Sequence, residues 1–455
     1  MAPNLTRRSF LRRAGGTAAA LPLVGYFGSP ARADSPSPNE NLNVACIGVA
    51  HRGAANVGGV AGENVVALCD VDQNYLAKAA AKFPQAIGYR DYRRLFERRD
   101  LDAVVISTAD HHHAPATLMA LRRGLHVYCE KPLTHTVAEA RRVAKLAAEQ
   151  KVATQMGTQI HAEENYRRVV ELIRAGAIGR VRAVHCWVAK AWGGGERPAG
   201  SDAVPTNLDW DLWLGPAPRR PYATGRYHPG EWRRWWDFGG GTLGDMACHV
   251  LDLPFWALEL RHPTKVRAAG PPVHAETCPL GIHVQWEFAR ATSGRSKSEA
   301  SDADTSEAAA KSAEPLVLHW YDGNQAPTQL VGDLLGVAQP PGLGVLFIGE
   351  AGQLFADYSH YRLLPEQQFA DFVPPAKSIP PSVGHHREWI DACKTGSSTT
   401  CNFAYSGALT EAVLLGNVAY RAGEEIVWDP ATMQVTNSPA ATALVSKPYR
   451  DGWEM

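Results

Sequence analysis

Apolar residues in the first third of the chain alternate between short continuous runs and longer segments with the spacing of an amphipathic helix. After a polar, proline-rich stretch at 34–41, residues 42–49 form a run typical of a buried parallel strand. Strand-like runs and helical patterns then alternate, and in chain order they are Val65–Cys69, Gln73–Lys82, Ala103–Ser107, Pro115–Arg123, His126–Cys129 and Val137–Gln150. This alternation predicts an α/β fold with a doubly wound parallel sheet over 42–155.

A second pattern begins at residue 156, where the strands become longer and more aromatic. A helical segment at 162–175 is followed by strand-like runs at Val181–Val188, His283–Phe288 and Leu316–Tyr321. We therefore expect a C-terminal α+β domain over 156–430, with a large open, mainly antiparallel sheet that carries helices on one face.

Three further segments complete this division of the chain. Residues 289–314 are rich in serine, alanine and charge and have no periodicity, which predicts a disordered hairpin insertion. Two helices are expected within 384–423, packed at the domain junction, and Gly423 would end the second of them. Residues 431–455 form a C-terminal tail.

The first 33 residues carry a targeting pattern. The motif Thr6-Arg7-Arg8-Ser9-Phe10-Leu11 precedes a weakly apolar stretch over 14–28 and the small-residue motif Ala31-Arg32-Ala33. This order resembles a twin-arginine export signal, whereas a short basic amphipathic helix would not explain all three features. The resemblance implies that the twin-arginine translocation machinery exports the folded chain. It also implies that 34–41 is a linker and that the mature protein is periplasmic or otherwise extracytoplasmic.

Composition and charge exclude several other classes of protein. After the N-terminus no apolar run reaches the roughly 18–20 residues of a membrane span, so we expect no membrane anchor in the mature form. Removal of residues 1–33, which hold five arginines and no acid, leaves 41 basic against 46 acidic side chains, a net charge of −5. The chain has no basic stripe, so nucleic acid is not an expected partner. The eight cysteines are scattered, which predicts buried thiols rather than disulfides or a metal centre.

The first strand leads into a glycine-containing loop, Gly48-Val49-Ala50-His51-Arg52-Gly53. It has the spacing of the dinucleotide-binding fingerprint, with alanine in place of the second glycine. Such a loop turns tightly, brings the backbone to a pyrophosphate and presents a helix N-terminus to the anion. The candidate cofactor residues in the loop are Gly48, Ala50, His51, Arg52 and Gly53.

Asp70 ends the second strand, 22 residues after Gly48. A carboxylate at this position can accept hydrogen bonds from the adenosine ribose, and it would repel a 2′-phosphate. The region therefore predicts a Rossmann domain that binds NAD in preference to NADP. A glycine-rich turn in a sheet that binds no cofactor is the alternative.

Two later motifs extend this pattern. The third strand runs into Ser107-Thr108-Ala109-Asp110-His111-His112-His113, and the following strand leads into Glu130-Lys131-Pro132. In this order the motifs resemble the Gfo/Idh/MocA family of glucose-fructose oxidoreductase and inositol dehydrogenase, from about Leu42 to Asp429. The resemblance implies that Thr108 and His113 line the nicotinamide end of the cofactor and that Glu130 and Lys131 flank it. Adjacent histidine side chains diverge and are poor ligands for one ion, so we expect no metal.

A further motif of the resemblance spans Gly239–Asp252. A helix from about Leu243 would place Asp245 and His249 one turn apart on a single face. The structural alternative pairs Asp245 with a cap at Thr242 and buries His249 in the core. The resemblance instead implies a catalytic set of Lys131, Asp245 and His249.

Each member of this set has a task in the oxidation of a secondary alcohol. The hydroxyl proton must be removed as hydride leaves carbon, which requires a base with a pKa near neutrality and a partner for the developing alkoxide. We assign the base to His249, the donor to the reacting oxygen to Lys131, and the orientation of the imidazole or of a neighbouring hydroxyl to Asp245. A reversed division between Lys131 and His249, or a proton relay between them, is also open.

The substrate is suggested by aromatic residues. Seven of the chain's 13 tryptophans lie within 50 residues, namely Trp187, Trp192, Trp210, Trp213, Trp232, Trp235 and Trp236. Sugar C–H faces stack on indole rings, although most single tryptophans serve the core. The candidates for a substrate-covering loop before the catalytic helix are Arg226, Tyr227, His228, Trp232 and Arg233. We expect a sugar, polyol or glycoside as substrate and a homo-oligomer formed through the open sheet.

Three functions fit these features. The first is an exported NAD(P)-dependent oxidoreductase, the second a lyase, hydratase or glycosidase that oxidises its sugar only transiently, and the third a non-catalytic NAD-binding sensor. The complete set of Lys131, Asp245 and His249 disfavours the sensor. The resemblance implies that exported glycosidases of a related branch lack the lysine of Glu-Lys-Pro, so Lys131 favours dehydrogenase chemistry. Free NAD is scarce outside the cytoplasm, and we therefore expect a tightly bound cofactor.

Overall fold

The computed structural model describes residues 40–289 and 314–454. The export signal predicted over 1–33, and all but the two ends of the insertion predicted over 289–314, lie outside the described residues. Residues Asn41–Met455 belong to one unit, which contains two β-sheets.

Six short strands build the N-terminal sheet, namely β1 (Asn43–Ile47), β2 (Asn64–Cys69), β3 (Ile87–Tyr89), β4 (Ala103–Ile106), β5 (His126–Cys129) and β6 (Thr154–Met156). All are parallel, in the order β3-β2-β1-β4-β5-β6. The intervening helices are α1 (Arg52–Gly59), α2 (Gln73–Ala80), α3 (Tyr92–Leu95), α4 (His113–Arg122) and α5 (Val137–Gln150). This confirms the predicted doubly wound sheet. The pattern did not predict β3, because that strand is three residues long and largely exposed.

Both faces of this sheet are buried, as a parallel sheet requires. Alternate side chains of β1 enter two different cores, with Ala45 and Ile47 in one and Val44 and Cys46 in the other. The second core also takes Trp389 from a helix near the C-terminus. The end of the chain therefore packs onto the N-terminal sheet.

Nine strands build the second sheet, namely β7 (Val181–Val188), β8 (Lys265–Ala269), β9 (His283–Phe288), β10 (Leu316–Tyr321), β11 (Leu343–Gly349), β12 (Gly352–Ala356), β13 (Tyr361–Leu364), β14 (Ile426–Asp429) and β15 (Gln434–Val435). Their order is β13-β12-β11-β7-β10-β9-β8-β14-β15. Among the described strands, β7 and β10 pair in parallel and the other neighbours are antiparallel. The mainly antiparallel sheet is confirmed.

The remaining helices are α6 (Glu164–Arg174), α7 (Trp210–Leu214), α8 (Gly241–Val250), α9 (Asp252–Ala257), α10 (Thr328–Leu335), α11 (His385–Thr395), α12 (Phe403–Ala422) and α13 (Pro439–Ala443). The longest, α12, packs closely on α5, where a Cβ at Gly407 would lie 3.0 Å from the Cβ of Ala144. On the sheet side, Trp286 Nε1 donates to the Ala412 carbonyl at 2.8 Å. Gly423 ends this helix with a φ of +70°, as the sequence predicts.

Among the described residues, only part of the second face of the nine-stranded sheet is covered. Val331 of α10 packs in a small core with Trp187 of β7. Beside that core, three half-buried histidines on adjacent strands, His185, His283 and His319, stack on one another. We call this part of the sheet the histidine face.

The cysteines are all free, and seven of the eight are buried, which agrees with the expected structural thiols. Within the described residues, no helix combines the length and the apolar character needed to cross a membrane.

Candidate active site

The turn after β1 requires glycine at two positions. Gly48 has a φ of +77°, and a Cβ placed there would lie 2.4 Å from the carbonyl oxygen of Ser107. A Cβ at Gly53 would lie 2.1 Å from the carbonyl oxygen of Gly48. Helix α1 begins at Arg52, and its N-cap residue His51 makes no side-chain capping hydrogen bond. The first-turn amides of α1 are thus not used by a side-chain cap, an arrangement that suits an anion.

Asp70 directly follows β2 and faces the same turn. Its Oδ2 accepts a hydrogen bond from the Val49 amide and its Oδ1 accepts one from the Asp72 amide, each at 3.0 Å. Burial raises the pKa of Asp70 to about 6, although the two hydrogen bonds act in the opposite direction. A carboxylate oxygen can accept more than one hydrogen bond, so both oxygens can still receive a ribose hydroxyl.

One cavity of about 580 Å³ joins this turn to the predicted catalytic residues. The predicted cofactor residues that line it are Gly48, Ala50, His51, Arg52, Asp70, Thr108, Glu130 and Lys131. The predicted catalytic and substrate residues that line it are Asp245, His249, His228, Trp232 and Arg233. The two sheets and their connecting segments therefore bring most of the predicted site together.

Besides Gly53, three predicted site residues lie outside this lining. His113 is buried, and its ring nitrogens contact the carbonyl oxygens of Pro132 at 2.7 Å and Thr108 at 3.0 Å. It therefore ties two loops together instead of facing the nicotinamide end. Arg226 is exposed, and Tyr227 is buried in an aromatic cluster, so neither faces the cavity as a substrate residue would.

Glu130 fixes the loop that carries Lys131. Its Oε1 accepts hydrogen bonds from Arg52 Nε at 3.2 Å, Asn56 Nδ2 at 2.9 Å and Gln159 Nε2 at 2.8 Å. These donors come from α1 and from the segment after β6. The network therefore holds Lys131 in place from two sides.

Asp245 is the centre of an ion cluster. Lys131 Nζ donates to Oδ1 of Asp245 at 2.9 Å and to its carbonyl oxygen at 2.7 Å, and Arg233 Nε donates to the same Oδ1 at 2.7 Å. Burial alone would raise the pKa of Asp245, but Lys131 and Arg233 hold it well below its usual range. No hydrogen bond joins Asp245 to Thr242 within the described residues, and the Thr242 hydroxyl accepts from the Trp192 amide at 2.6 Å.

His249 lies one helical turn after Asp245 on α8, and both line the cavity. Burial, followed by the positive charge of Lys131, lowers the pKa of His249 to about 3. This is below the near-neutral value that the sequence argument required, and the imidazole is uncharged at physiological pH. In the part of the chain that is described, no hydrogen bond joins this imidazole to Asp245, whose carboxylate is held by the two cations.

Sequence reasoning missed three charged residues of the cavity, Arg90, Asp110 and Lys190. Asp110 lies inside the Thr/His loop, so its position in that motif could have identified it. Lys190 lies two residues after β7, and nothing in the local sequence separates it or Arg90 from other surface cations.

A second polar group lies behind α8 and outside the cavity lining. His161 Nδ1 is 2.9 Å from both carboxylate oxygens of Asp252, and the Tyr405 hydroxyl donates to Asp252 Oδ1 at 2.8 Å. His161, Asp252 and Cys401 have the spacing of possible metal ligands, and all three are buried. The contacts between His161, Asp252 and Tyr405 hold the start of α9 against α12, so we assign this group a structural role.

The cavity fits a dinucleotide at one end. The turn excludes a Cβ at both glycine positions, α1 presents an N-terminus, and Asp70 offers a carboxylate at the end of β2. Lys131 and His249 lie at the other end of the same cavity.

Some known proteins resemble part of this chain in sequence, and others resemble most of it in fold at low sequence identity. Inositol 2-dehydrogenase of Salmonella typhimurium is 34% identical over 149 residues, 32% of this chain and 43% of that protein. A glycosyl hydrolase family 109 protein of Shewanella putrefaciens is 29% identical over 208 residues, 39% of this chain and 44% of that protein. The matches thus span less than half the length of these curated relatives. The crystal structure of a WlbA dehydrogenase of Bordetella pertussis, with NADH and UDP-GlcNAcA, is 16% identical with a TM-score of 0.59, covering 86% of this chain and 99% of that one.

Two domain models of one family match the chain in tandem. The model for the NAD-binding Rossmann fold of an oxidoreductase family matches residues 42–158, and the model for its C-terminal alpha/beta domain matches residues 177–308. Together they span more than half of the sequence, and they cover the whole parallel sheet and strands β7 to β9 of the second sheet. The chain therefore belongs to the Gfo/Idh/MocA family of oxidoreductases.

Proposed function

We propose that the protein oxidises a secondary hydroxyl of a sugar, polyol or glycoside with NAD as cofactor. The observation that carries this proposal is the single cavity that runs from the glycine turn and Asp70 to Lys131, Asp245 and His249. The cofactor would be held by the turn, by the N-terminus of α1 and by Asp70. When bound, it would supply the acceptor for the hydride that leaves the substrate carbon.

The chain's own residues divide the remaining work. His249 is uncharged and can accept the hydroxyl proton. An ammonium has three donors, and Lys131 spends two of them on Asp245, which leaves one for the substrate oxygen as it becomes an alkoxide. Asp245 therefore acts as the positioning group for Lys131. These contacts favour Lys131 as the donor. His249 can serve as the base only when the positive charge that it gains is balanced, because its pKa in the cofactor-free protein is about 3.

We further propose that the cofactor stays bound between turnovers. The segment 205–230 packs against the residues that follow Asp70, where Asp209 N donates to the Val71 carbonyl at 3.0 Å and Asn207 Nδ2 donates to Asp72 Oδ1 at 2.8 Å. From the same segment His228 Nε2 lies 3.3 Å from Asp72 Oδ2 and lines the cavity. These contacts would slow cofactor release.

Retention for hours requires a dissociation rate near ~10⁻⁴ s⁻¹. With an ordinary association rate of ~10⁶ M⁻¹ s⁻¹, this corresponds to a Kd of about 10⁻¹⁰ M. Such retention would suit a protein that the twin-arginine machinery exports after folding to a compartment without free NAD. A cofactor that never leaves must return to its starting state in each cycle, either through a second substrate or by re-reduction of the same sugar.

The test is the cofactor content and activity of the exported protein. After export, purification and gel filtration, we expect close to one dinucleotide per chain. We also expect absorbance changes at 340 nm when sugars or polyols are added without NAD. A folded protein that contains no dinucleotide and is active only with added NAD would contradict cofactor retention. If no sugar in a broad panel changes the absorbance of the cofactor, the oxidoreductase proposal is contradicted.

A second candidate is transient oxidation without net redox change, as in a sugar lyase, hydratase or glycosidase. The similarity to a glycosyl hydrolase family 109 protein favours it, as does a retained cofactor. Mass analysis of products from free sugars, glycosides and 3-keto-sugars separates the two, because a dehydrogenase product is two mass units lighter than its substrate.

We also propose that the protein forms a homo-oligomer through the histidine face, because α10 covers only part of that side of the sheet. Light scattering during gel filtration tests this. The half-buried His319 lies on this face, and His319→Glu should shift the protein toward the monomer. A wild-type protein that is monomeric at all concentrations would contradict the proposed oligomer.

A further inference from the structure

We propose that the substrate of this cavity carries an anionic group, a carboxylate or a phosphate, and that Lys190 binds that group. The inference rests on the proposed function for the identity of the reacting end, and it goes beyond it by naming the charge class of the sugar. Carboxylate and phosphate share the relevant chemistry, because both are compact oxyanions that an ammonium recognises.

Lys190 lies beside the reacting groups. It lies two residues after the end of β7, and its carbonyl oxygen accepts from the Gly323 amide at 2.8 Å, which fixes its backbone. Its Nζ is 3.6 Å from Sδ of Met246 and 5.0 Å from the ring centre of Trp192. Met246 lines the cavity and lies three residues before His249 on the same helix. The ammonium of Lys190 therefore borders the wall that carries the proposed base.

Among the described residues Lys190, which is exposed, has no acidic partner, unlike Lys131 and Arg233 at the same end. Lys131 and Arg233 both bond to Asp245. Across residues 40–289 and 314–454, no salt bridge involves Lys190. A cation that lines a binding cavity without a counter-ion is suited to recognise a charged group on the ligand.

The charges at the reacting end favour an anion as a whole. Three cations, Lys131, Lys190 and Arg233, face two carboxyl groups, those of Asp245 and Asp110. Three cations against two carboxyl groups leave one positive charge uncompensated at this end of the cavity. Burial, followed by the charge of Asp245, also raises the pKa of Asp110 well above its usual value, which works against its ionised form. The low pKa of His249 agrees with this: burial is its largest cause, and Lys131 and Lys190 both contribute.

The developing alkoxide does not account for the charge of Lys190. Lys131 has one free donor for that oxygen, as described above. Arg233 is also largely committed, since Nε donates to Asp245 and Nη1 donates to the Gly230 carbonyl at 3.2 Å. The ring of Trp192 lies near both Lys190 and Arg233, with 5.7 Å from its centre to the Arg233 guanidinium carbon. A sugar lying near this ring could place its charged substituent at Lys190 while its hydroxyl faces Lys131.

The experiment compares matched sugars on the full-length, cofactor-loaded protein. Binding is measured by calorimetry and turnover by product mass for glucose, galactose and mannose, each beside its uronate and its 6-phosphate. We expect the best acidic sugar to bind about 10- to 100-fold more tightly than its neutral parent, the range of a charge-assisted hydrogen bond. The uronate and phosphate arms identify which oxyanion the site takes.

Variants then assign the preference to Lys190. Lys190→Met keeps the aliphatic stem and should remove most of the acidic-to-neutral affinity ratio, and Lys190→Glu should invert it. Lys265→Met, which removes an exposed lysine on β8 outside the cavity lining, is the matched control and should leave the ratio unchanged. Melting curves of all three confirm folding.

The proposal is overturned if the acidic sugars bind no better than their neutral parents, including the case in which no acidic sugar binds. It is also overturned if Lys190→Met leaves the ratio intact. If the protein nevertheless oxidises neutral sugars, the anion site is wrong and the proposed oxidoreductase function still holds. Tight binding of acidic sugars without any chemical change would uphold the anion site and contradict the oxidoreductase.

Discussion

Asp70 offers a sharp test of cofactor recognition, because its ionisation and its contacts are both defined. The change is Asp70→Asn, which keeps the shape of the side chain and removes its charge. In the cofactor-free protein burial raises the pKa of Asp70 to about 6. NAD favours the ionised form, which accepts hydrogen bonds from the ribose, so binding lowers this pKa and releases a proton.

NAD should bind more weakly at low pH. Below pH 6 the cofactor must displace a proton from Asp70, and NAD affinity should fall by up to about tenfold for each pH unit of decrease. Above pH 6 the NAD affinity should become independent of pH. The lost charged hydrogen bonds should cost Asp70→Asn about 1.5–3 kcal/mol, or roughly 10- to 150-fold in NAD affinity at pH 7.5. The variant should also tolerate NADP better, because the charge that repels a 2′-phosphate is gone.

The assay is calorimetry on cofactor-free protein with NAD and NADP at pH 5, 6 and 7.5. Asp70→Asn should flatten the pH profile of NAD binding, and Asp100→Asn, an exposed carboxylate outside the cavity, should not. A wild-type affinity that does not change between pH 5 and 7.5, or a variant with an unchanged NAD-to-NADP ratio, would refute the reasoning.

Three further predictions concern other parts of the site and the signal. Lys131→Ala and His249→Ala should each lower turnover roughly 10²- to 10⁴-fold with the cofactor still bound. The fold-loss of turnover in the double variant should be much smaller than the two single fold-losses multiplied together. Near-normal turnover in a folded single variant would contradict the assignment. Gly53→Ala should lower the melting temperature and abolish its rise with NAD, because the added Cβ would meet the Gly48 carbonyl oxygen; an unchanged NAD-dependent rise would argue against the turn. Arg7→Lys with Arg8→Lys should leave unprocessed protein in the cytoplasm, and normal export on an immunoblot of cell fractions would exclude the signal.

Some elements could be predicted residue by residue. The helix Val137–Gln150 and the strands Val181–Val188, His283–Phe288 and Leu316–Tyr321 have the bounds that the pattern predicts. Each has a strong apolar periodicity, and α5 begins at a capping box in which Thr136 and Glu139 satisfy each other's backbone amides. Local signals of this kind do not depend on distant contacts.

Other elements left little trace in the sequence. Strand β3 is short and exposed, and the three strands β11 to β13, which follow α10, form one end of the second sheet. Helix α12 begins at Phe403, because Asn402 caps it by accepting from the Ala404 and Tyr405 amides. Element ends of this kind are set by single side-chain contacts.

The sequence by itself determined the alternating parallel sheet, the glycine turn with Asp70 at the end of the next strand, and the identity of Lys131, Asp245 and His249 as a candidate set. These features are encoded in local spacing, and such spacing is fixed by backbone geometry. Only the tertiary structure decided what each charge meets. It gave Asp245 two cations as partners instead of an imidazole and turned His113 away from the cavity. Within the residues that the structure describes, it also left Lys190 without a counter-ion beside the reacting groups. Such outcomes depend on side chains that lie tens to hundreds of residues apart, and burial then sets their ionisation, which no local pattern can encode.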